Sequence, residues 1–531
     1  MRKNLILVFL ALFTTTMFSQ TLETVLWGNS KELQKNTSFQ KIIGTSNDGF
    51  YAVRSDDPSF VTRDKMWLDY ISFATLDVDE SNEIVFPNIL SKQTYYNDMF
   101  FVNDKLILFS SMDDAGRAQR VLYMSYLNNN GTVKNMPKEV GVVPNSNLKE
   151  DGFKFIYLES TKEIMLYFHK TYSGYNGEKF SIKIFDSNLK AVFDEELVFP
   201  DKFMGKKNKL VQIEKGESGN IYMLFKVEIV DSKGKKTETS DSKFENVLLV
   251  YNVAKKEFKS YDVGMTKFVA NDVKFSLTKD EMVFLAGTFA PKSSKTPNEF
   301  SGMFYTQINP KTEKEIIPAN IKNTFYDISR DKELLATFKS ERSGETPNDK
   351  YSFNVRSIEK LVNGGFVVVA EQYFDSYREF KDPETKEMVK ITYNNYNDLL
   401  IGGIDKNGVF NWIKRFPKEQ YSIEDGGYYS SFATLTNENT VRLIYNDDEK
   451  NIKNTDPMKT KPIKFNPKTT PSGTAIIHSV YTDGSIQKTP MFGDKDANCV
   501  IVPRVFNTSK DGYLIYTQIG KKYRFAQFVV E

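Results

Sequence analysis

Phe366-Val-Val-Val-Ala370 is apolar at all five positions, and Val367, Val368 and Val369 are β-branched. So short a run, without polar alternation, reads as a strand covered on both faces. Runs of the same kind occupy residues 50–53, 106–109, 164–168, 221–225, 282–286, 441–445 and 513–516, and consecutive starts among the eight lie 56 to 84 residues apart. Repetition at such a period marks an array of similar supersecondary units.

Working outward from each run gives the unit. Another strand-like segment lies ahead of most of them, as at 153–158, 273–277, 429–435 and 502–506. A third follows each run, at 68–76, 121–127, 180–185, 247–251, 300–308, 399–404, 475–481 and 523–530. Turns such as Asp186-Ser-Asn-Leu-Lys190, Asp405-Lys-Asn-Gly408 and Thr482-Asp-Gly484 then lead into fourth segments at 191–199, 409–416 and 485–492. Aromatic and β-branched residues dominate all of them, as strands require. The predicted fold is therefore all-β, a β-propeller of eight (alternatively seven) four-stranded blades with sheets packed face to face. The eighth unit ends after its third strand, and residues 24–27 form an unassigned strand-like piece that could supply the fourth. Pairing the two ends would remove an exposed sheet edge. A membrane barrel is disfavoured, because lipid-facing strands alternate apolar and polar residues.

Arg2 and Lys3, the apolar stretch 5–13 and a polar tail to Gln20 predict a signal peptide over residues 1–19. About nine apolar residues are too few to span a bilayer. The only cysteine, Cys499, is far from the cleavage point, so no N-terminal lipid anchor is expected. Residues 20–531 are read as one propeller domain, exported to the periplasm, cell surface or medium. Lys and Arg total 71 against 69 Asp and Glu, and removing Arg2 and Lys3 leaves 69 of each. Such balance lacks the basic footprint of a nucleic-acid binder. Two histidines and one cysteine disfavour zinc sites and exclude an intramolecular disulfide. No cofactor, no metal and no membrane span are expected, and the chain is expected to be a monomer.

The connections between second and third strands run long, at 54–65, 170–179, 230–244, 290–299, 371–397 and 446–473, and in a meander these share one face. Binding residues tend to sit on loops held by a rigid scaffold, so any site is placed there. Insertion 371–397 carries Tyr373, Phe374, Tyr377, Phe380, Tyr393 and Tyr396 beside Asp375 and Glu379. These eight are the candidate ligand-binding residues, since aromatic faces beside carboxylates suit a glycan or peptide. The competing reading is an extended hairpin whose aromatics pair across strands. Insertion 446–473, rich in Lys, Asn, Asp, Pro and Thr, reads as a solvated loop. Between the fifth and sixth units, 328–341 reads as a short helix capped by Ser329, with Leu334, Leu335 and Phe338 on one side.

Candidates for chemistry are sparse. Asp77-Val-Asp-Glu-Ser81-Asn-Glu83 alternates oxygen ligands but lacks the glycine of a calcium loop. His169 and His478 are the only imidazoles, and no Gly-x-Ser-x-Gly elbow accompanies them. Thr45-Ser-Asn47-Asp-Gly49 and Ser111-Met-Asp113-Asp-Ala-Gly116 resemble the Asp-boxes of sialidase-type propellers, Ser-x-Asp-x-Gly-x-x-Trp. The first lacks the Asp and the Trp, and the second has its Gly one place late. In that family the box is a structural turn, so the resemblance implies no catalytic residue. Asp405-Lys-Asn-Gly408-Val-Phe-Asn-Trp412 resembles the repeat of quinoprotein-like propellers, one residue short between Asp and Gly, and implies a turn with packing. The leader ending in Phe-Ser-Gln and the Lys, Asn, Tyr and Phe bias resemble exported β-propeller proteins of Bacteroidota with no assigned activity. The expected function is non-catalytic binding of an envelope or extracellular protein or glycan through the long-loop face. The alternative is a polysaccharide hydrolase or lyase using paired carboxylates there.

Overall fold

The computed structural model describes residues 24–529 except 35–36, 57–64, 145–151, 172–178, 201–207, 229–243, 264–267, 292–299, 312–313, 318–324, 339–351, 424, 438, 457–458, 466–472, 493–499 and 510–511. The expected leader, Cys499 and most of the long connections other than 371–397 lie outside the described residues.

The chain is all-β and propeller-like. Among the described residues, eight meander sheets of antiparallel strands follow one another along it, beside a two-stranded hairpin at 88–93 and one parallel strand added to sheet six. Sheet one spans 38–83, two 95–144, three 154–198, four 208–262, five 268–317, six 353–416 and seven 433–490. Sheet eight takes three strands from 507–529, and its fourth is Thr24–Trp27, paired with the last strand from Thr24 opposite Val529 to Trp27 opposite Ala526. The two ends of the described chain thus complete one sheet, as the unassigned segment predicted.

The apolar runs form the second strand of each sheet, and consecutive residues point to opposite sides. Val368 packs with sheet five residues such as Ala286 and Tyr305, whereas Val369 packs with Leu443 and Ile476 of sheet seven. The same division recurs at every sheet. Among the described residues, eight buried clusters lie between consecutive sheets, a small ninth sits on sheet two around Met112, Val121 and Tyr123, and the eighth sheet shares one with the first through Phe39, Phe50, Tyr516 and Phe525. Continuous burial on both faces removes any reason for polar alternation, which explains the composition of the runs.

First strands are held differently. In five of them residues bulge from the pairing with the second strand: Gln40 and Ile43 in sheet one, and Asn97, Val211, Asn271 and Arg356 in sheets two, four, five and six. A bulge bends a strand and re-aims its side chains. Polar residues beside these bulges reach the next sheet. Lys41 Nζ lies 2.8 Å from Asp98 Oδ1, and Val355 N–H donates to Asp272 Oδ2 at 2.6 Å. Gln212 makes paired bonds with the N–H and C=O of Phe275, at 3.0 and 2.7 Å.

The helix expected near 328–341 is present but starts later. Lys332–Thr337 is α-helical and capped by the Asp331 carboxylate on Leu334 N–H, after a 3₁₀ turn capped by Asp327. Asp331, not Ser329, is the cap; aspartate competes well with serine at this position. Leu334 and Phe338 are buried and Leu335 half-buried against sheets five and six. Insertion 446–473 is a correction of a different kind. Ile463–Phe465 is a strand in parallel pairing with Gln420–Ile423, and Ile463, Phe465 and Asn451 are all buried. Two apolar side chains in an otherwise polar stretch suffice to dock it, which average composition conceals. No helix among the described residues is long and apolar enough to cross a membrane.

Candidate functional site

Insertion 371–397 is a β-hairpin, two long strands joined by a turn at 382–387. Phe366–Lys381 and Met388–Ile404 pair from Phe366 opposite Ile404 to Lys381 opposite Met388, extending sheet six well beyond its neighbours. At the tip, Asp382 Oδ1 accepts the N–H groups of Glu384 and Thr385 at 2.7 and 2.8 Å. Those bonds close the turn and hold the Asp382 carboxyl below its ordinary range.

The root of the hairpin is a buried polar network. Lys418 Nζ donates to Glu371 Oε1, Tyr396 O and Gln420 Oε1 at 2.8, 2.8 and 2.9 Å, one partner for each of its protons. Glu371 also accepts from Arg356 Nε at 2.9 Å and Ser431 Oγ at 2.8 Å. Arg356 is the bulged residue of its strand, and the bulge carries the guanidinium across to Glu371, within 5.7 Å of the Tyr373 ring and 6.0 Å of the Tyr396 ring. Burial lowers the Lys418 pKa, with the Glu371 carboxylate opposing the shift. Asp398 takes Arg415 Nε at 2.6 Å and the Lys418 backbone N–H at 3.0 Å, so a second ion pair braces the same corner. Gly427 completes the root: φ is +73°, and an added Cβ would lie 2.4 Å from Tyr396 Oη. Only glycine allows that ring to lie against the loop.

Alternation along the strands divides the eight predicted residues between two faces. Tyr373, Asp375, Tyr377, Glu379 and Tyr396 share one face; Phe374, Phe380 and Tyr393 share the other. On the first, the Tyr373 and Tyr396 rings are 4.9 Å apart, and Asp375 Oδ1 accepts from Tyr373 Oη at 2.7 Å and Asn394 Nδ2 at 2.8 Å. Burial, then the bond to Asp375, pushes the Tyr373 hydroxyl pKa up; burial and the Glu371 charge do the same at Tyr396. Lys390 Nζ lies 4.0 Å over the Tyr377 ring. On the second face, Phe374 is buried and Tyr393 packs 6.4 Å from Tyr421. Tyr373, Phe374, Tyr393 and Tyr396 are therefore engaged by the protein, as in the cross-strand reading. Tyr377 and Phe380 are 63% and 42% exposed, with Met388 at 66% beside them. Tyr377 and Met388 lie on one face of the hairpin end and Phe380 on the other, and Met388 had no aromatic signal to single it out. Lys418 and Gln420 were also invisible in sequence, because Lys418 meets Glu371 only through a contact 47 residues long and Gln420 joins the network through Lys418.

The remaining sequence candidates are structural. Asp77 accepts from Asn29 N and Nδ2 at 2.9 and 2.7 Å, tying down the N-terminal segment, while Val78–Glu83 is an outer strand. Asp405 Oδ1 accepts the N–H groups of Asn407 and Val409, and Trp412 packs on Gly403 and Gly484. Residues 45–49 are the hairpin turn of sheet one, and the second Asp-box-like stretch is a strand end whose Asp114 accepts the Gly116 N–H. His169 and His478 are buried beside Tyr167 and Tyr445 respectively. Burial, reinforced by Lys488, depresses the His478 pKa to about 3, which leaves a neutral ring in the core.

No known family and no curated protein matches the chain. Among solved structures it is similar to an ulvan lyase, a polysaccharide lyase, at 8% identity and TM-score 0.37, covering 88% of this chain and 95% of the lyase. Prolyl oligopeptidase B from Galerina marginata gives 11% identity and TM-score 0.37 over 91% of this chain and 56% of that one. Drosophila Semaphorin 1a, extracellular domains 1-2, gives 9% and 0.34 over 94% and 86%.

Proposed function

We propose that residues 20–531 form one ring of eight blades, closed by Thr24–Trp27, and that this ring is an exported, non-catalytic binding scaffold. The face-to-face clusters running from sheet one through sheet eight and back support the ring. Its ligand is a protein or glycan of the envelope or extracellular space, taken by the tip of the long hairpin. One observation carries this reading: Tyr377, Phe380 and Met388 stand exposed at the end of a hairpin whose root is fixed by the three hydrogen bonds of the buried Lys418 ammonium. Apolar side chains exposed on both faces of one hairpin end are costly in water unless a partner covers them, and a rigid support lowers the ordering cost of binding. Glu371 is saturated by Lys418, Arg356 and Ser431, which suits anchoring rather than proton transfer.

The test compares the mature chain with a Tyr377→Ser, Phe380→Ser, Met388→Ser variant in crosslinking from native envelopes. A stoichiometric partner present with the parent and lost with the variant supports the reading. Equal capture by both rejects the hairpin as the site. Cleavage of a polysaccharide panel by the parent would replace binding with carboxylate catalysis.

A further inference from the structure

We infer a second binding site, away from the hairpin, for a short uncharged saccharide. A cavity of ≈ 500 Å³ lies where the first strands of sheets eight, one, two and three converge, at the ends that turn into their second strands. That volume falls within the range of roughly 300–1,000 Å³ of small-molecule sites.

Its walls combine three kinds of surface. Phe100, Phe155 and Tyr157 form an aromatic side, with Phe100 centred 6.4 Å from Phe155 and 6.2 Å from Tyr157. Tyr157 keeps 37% of its surface exposed, unusual for a large apolar residue in this core. Asn103, Asn507 and Thr508 add small polar side chains to the lining. The third surface is backbone. Each of the four converging strands is the terminal strand of its sheet, so one edge presents peptide N–H and C=O groups without a neighbouring strand. Gly44, also in the wall, has φ +153°, and a Cβ there would sit 2.5 Å from Phe101 O, so sheets one and two approach this closely only with glycine.

Charge selects against ions. Lys41 lines the cavity, but its ammonium is 2.8 Å from Asp98 and 4.2 Å over the Phe100 ring. Glu159 and Lys162, both exposed at the rim, are of opposite sign. A peptide adding as a strand needs one continuous edge, whereas Asn507 Nδ2 bonded to Ile42 O at 3.2 Å and Lys41 bonded to Asp98 bridge successive edges. A sugar ring, with an apolar face for Tyr157 and hydroxyls for amides and peptide groups, matches all three surfaces.

The experiment is saturation-transfer NMR and calorimetry on the folded mature chain with cellobiose, maltose, mannobiose, xylobiose and chitobiose. At least one should bind with Kd on the order of 1 mM or tighter, an ordinary strength for a single small site. Tyr157→Ala should weaken it at least tenfold, and Thr508→Trp, which fills the cavity from an exposed position, should abolish it. The hairpin triple variant should bind the same sugar unchanged, which separates failure here from failure of the hairpin reading. Binding by none of the five, binding indifferent to both cavity variants, or displacement by an uncharged tripeptide that binds tighter would each overturn the assignment.

Discussion

Lys418 and Glu371 meet at 2.8 Å with both side chains wholly buried, joining the strand that begins the long hairpin to the connection that leaves sheet six. Removing one partner strands a charge in the interior, a loss of about 3–5 kcal/mol. Glu371→Leu or Lys418→Met alone should therefore lower the melting temperature markedly. The double variant should recover part of the loss, since apolar replacement of both members relieves desolvation. Equal, additive losses by calorimetry would show that the two residues are not coupled.

Thr24–Trp27 closes sheet eight as its outermost strand. Trp27 is half-buried, 4.7 Å from the Phe492 ring and 3.8 Å under the Arg524 guanidinium. Trp27→Ala should cost about 2–3 kcal/mol, below the value for a fully buried ring. Deleting residues 21–33 should cost more, because Leu33 and the pairing go with it. A melting temperature unaltered by the deletion would count against closure by this strand.

Glu214, on the first strand of sheet four, has its pKa pushed up to about 7, chiefly by burial, with Gln212 and Lys274 opposing. The native state then binds its proton more tightly than the unfolded chain. Stability associated with this group is fully present below pH ~4.5 and is lost as pH rises through about 7, up to about 3 kcal/mol by pH 8. Glu214→Gln should raise the melting temperature at pH 8 and leave it unchanged at pH 4. The same gain at both values would exclude titration as the cause.

His478 has the opposite sign. Its folded pKa is depressed to about 3 by burial and Lys488, so the unfolded state takes the proton first. Its contribution is present above pH ~6.5 and lost as pH falls towards 3. His478→Asn, which retains a polar partner for Tyr445, should flatten the fall in melting temperature between pH 6 and 4. A slope identical to the parent's would place acid sensitivity elsewhere.

The sequence by itself determined the repeating unit, the strand order and the partner of the last sheet. Those properties follow from local chemistry: continuous apolar runs need cover on two sides, and Asp-x-x-Gly or Thr-Asp-Gly turns join neighbours in a meander. It also offered the reading of 371–397 as an extended hairpin, in which Tyr373 and Tyr396 pair across strands. Only the tertiary structure decided which of the eight candidate residues stay exposed. Face assignment depends on the bulge between Glu371 and Tyr373, and the ring beside Tyr393 is Tyr421 of Gln420–Ile423, dozens of residues away. The bulges that aim Arg356 at Glu371 and set Lys41 against Asp98 were equally silent in sequence. A bulge is a mismatch between two strands, and no property of either strand alone records it.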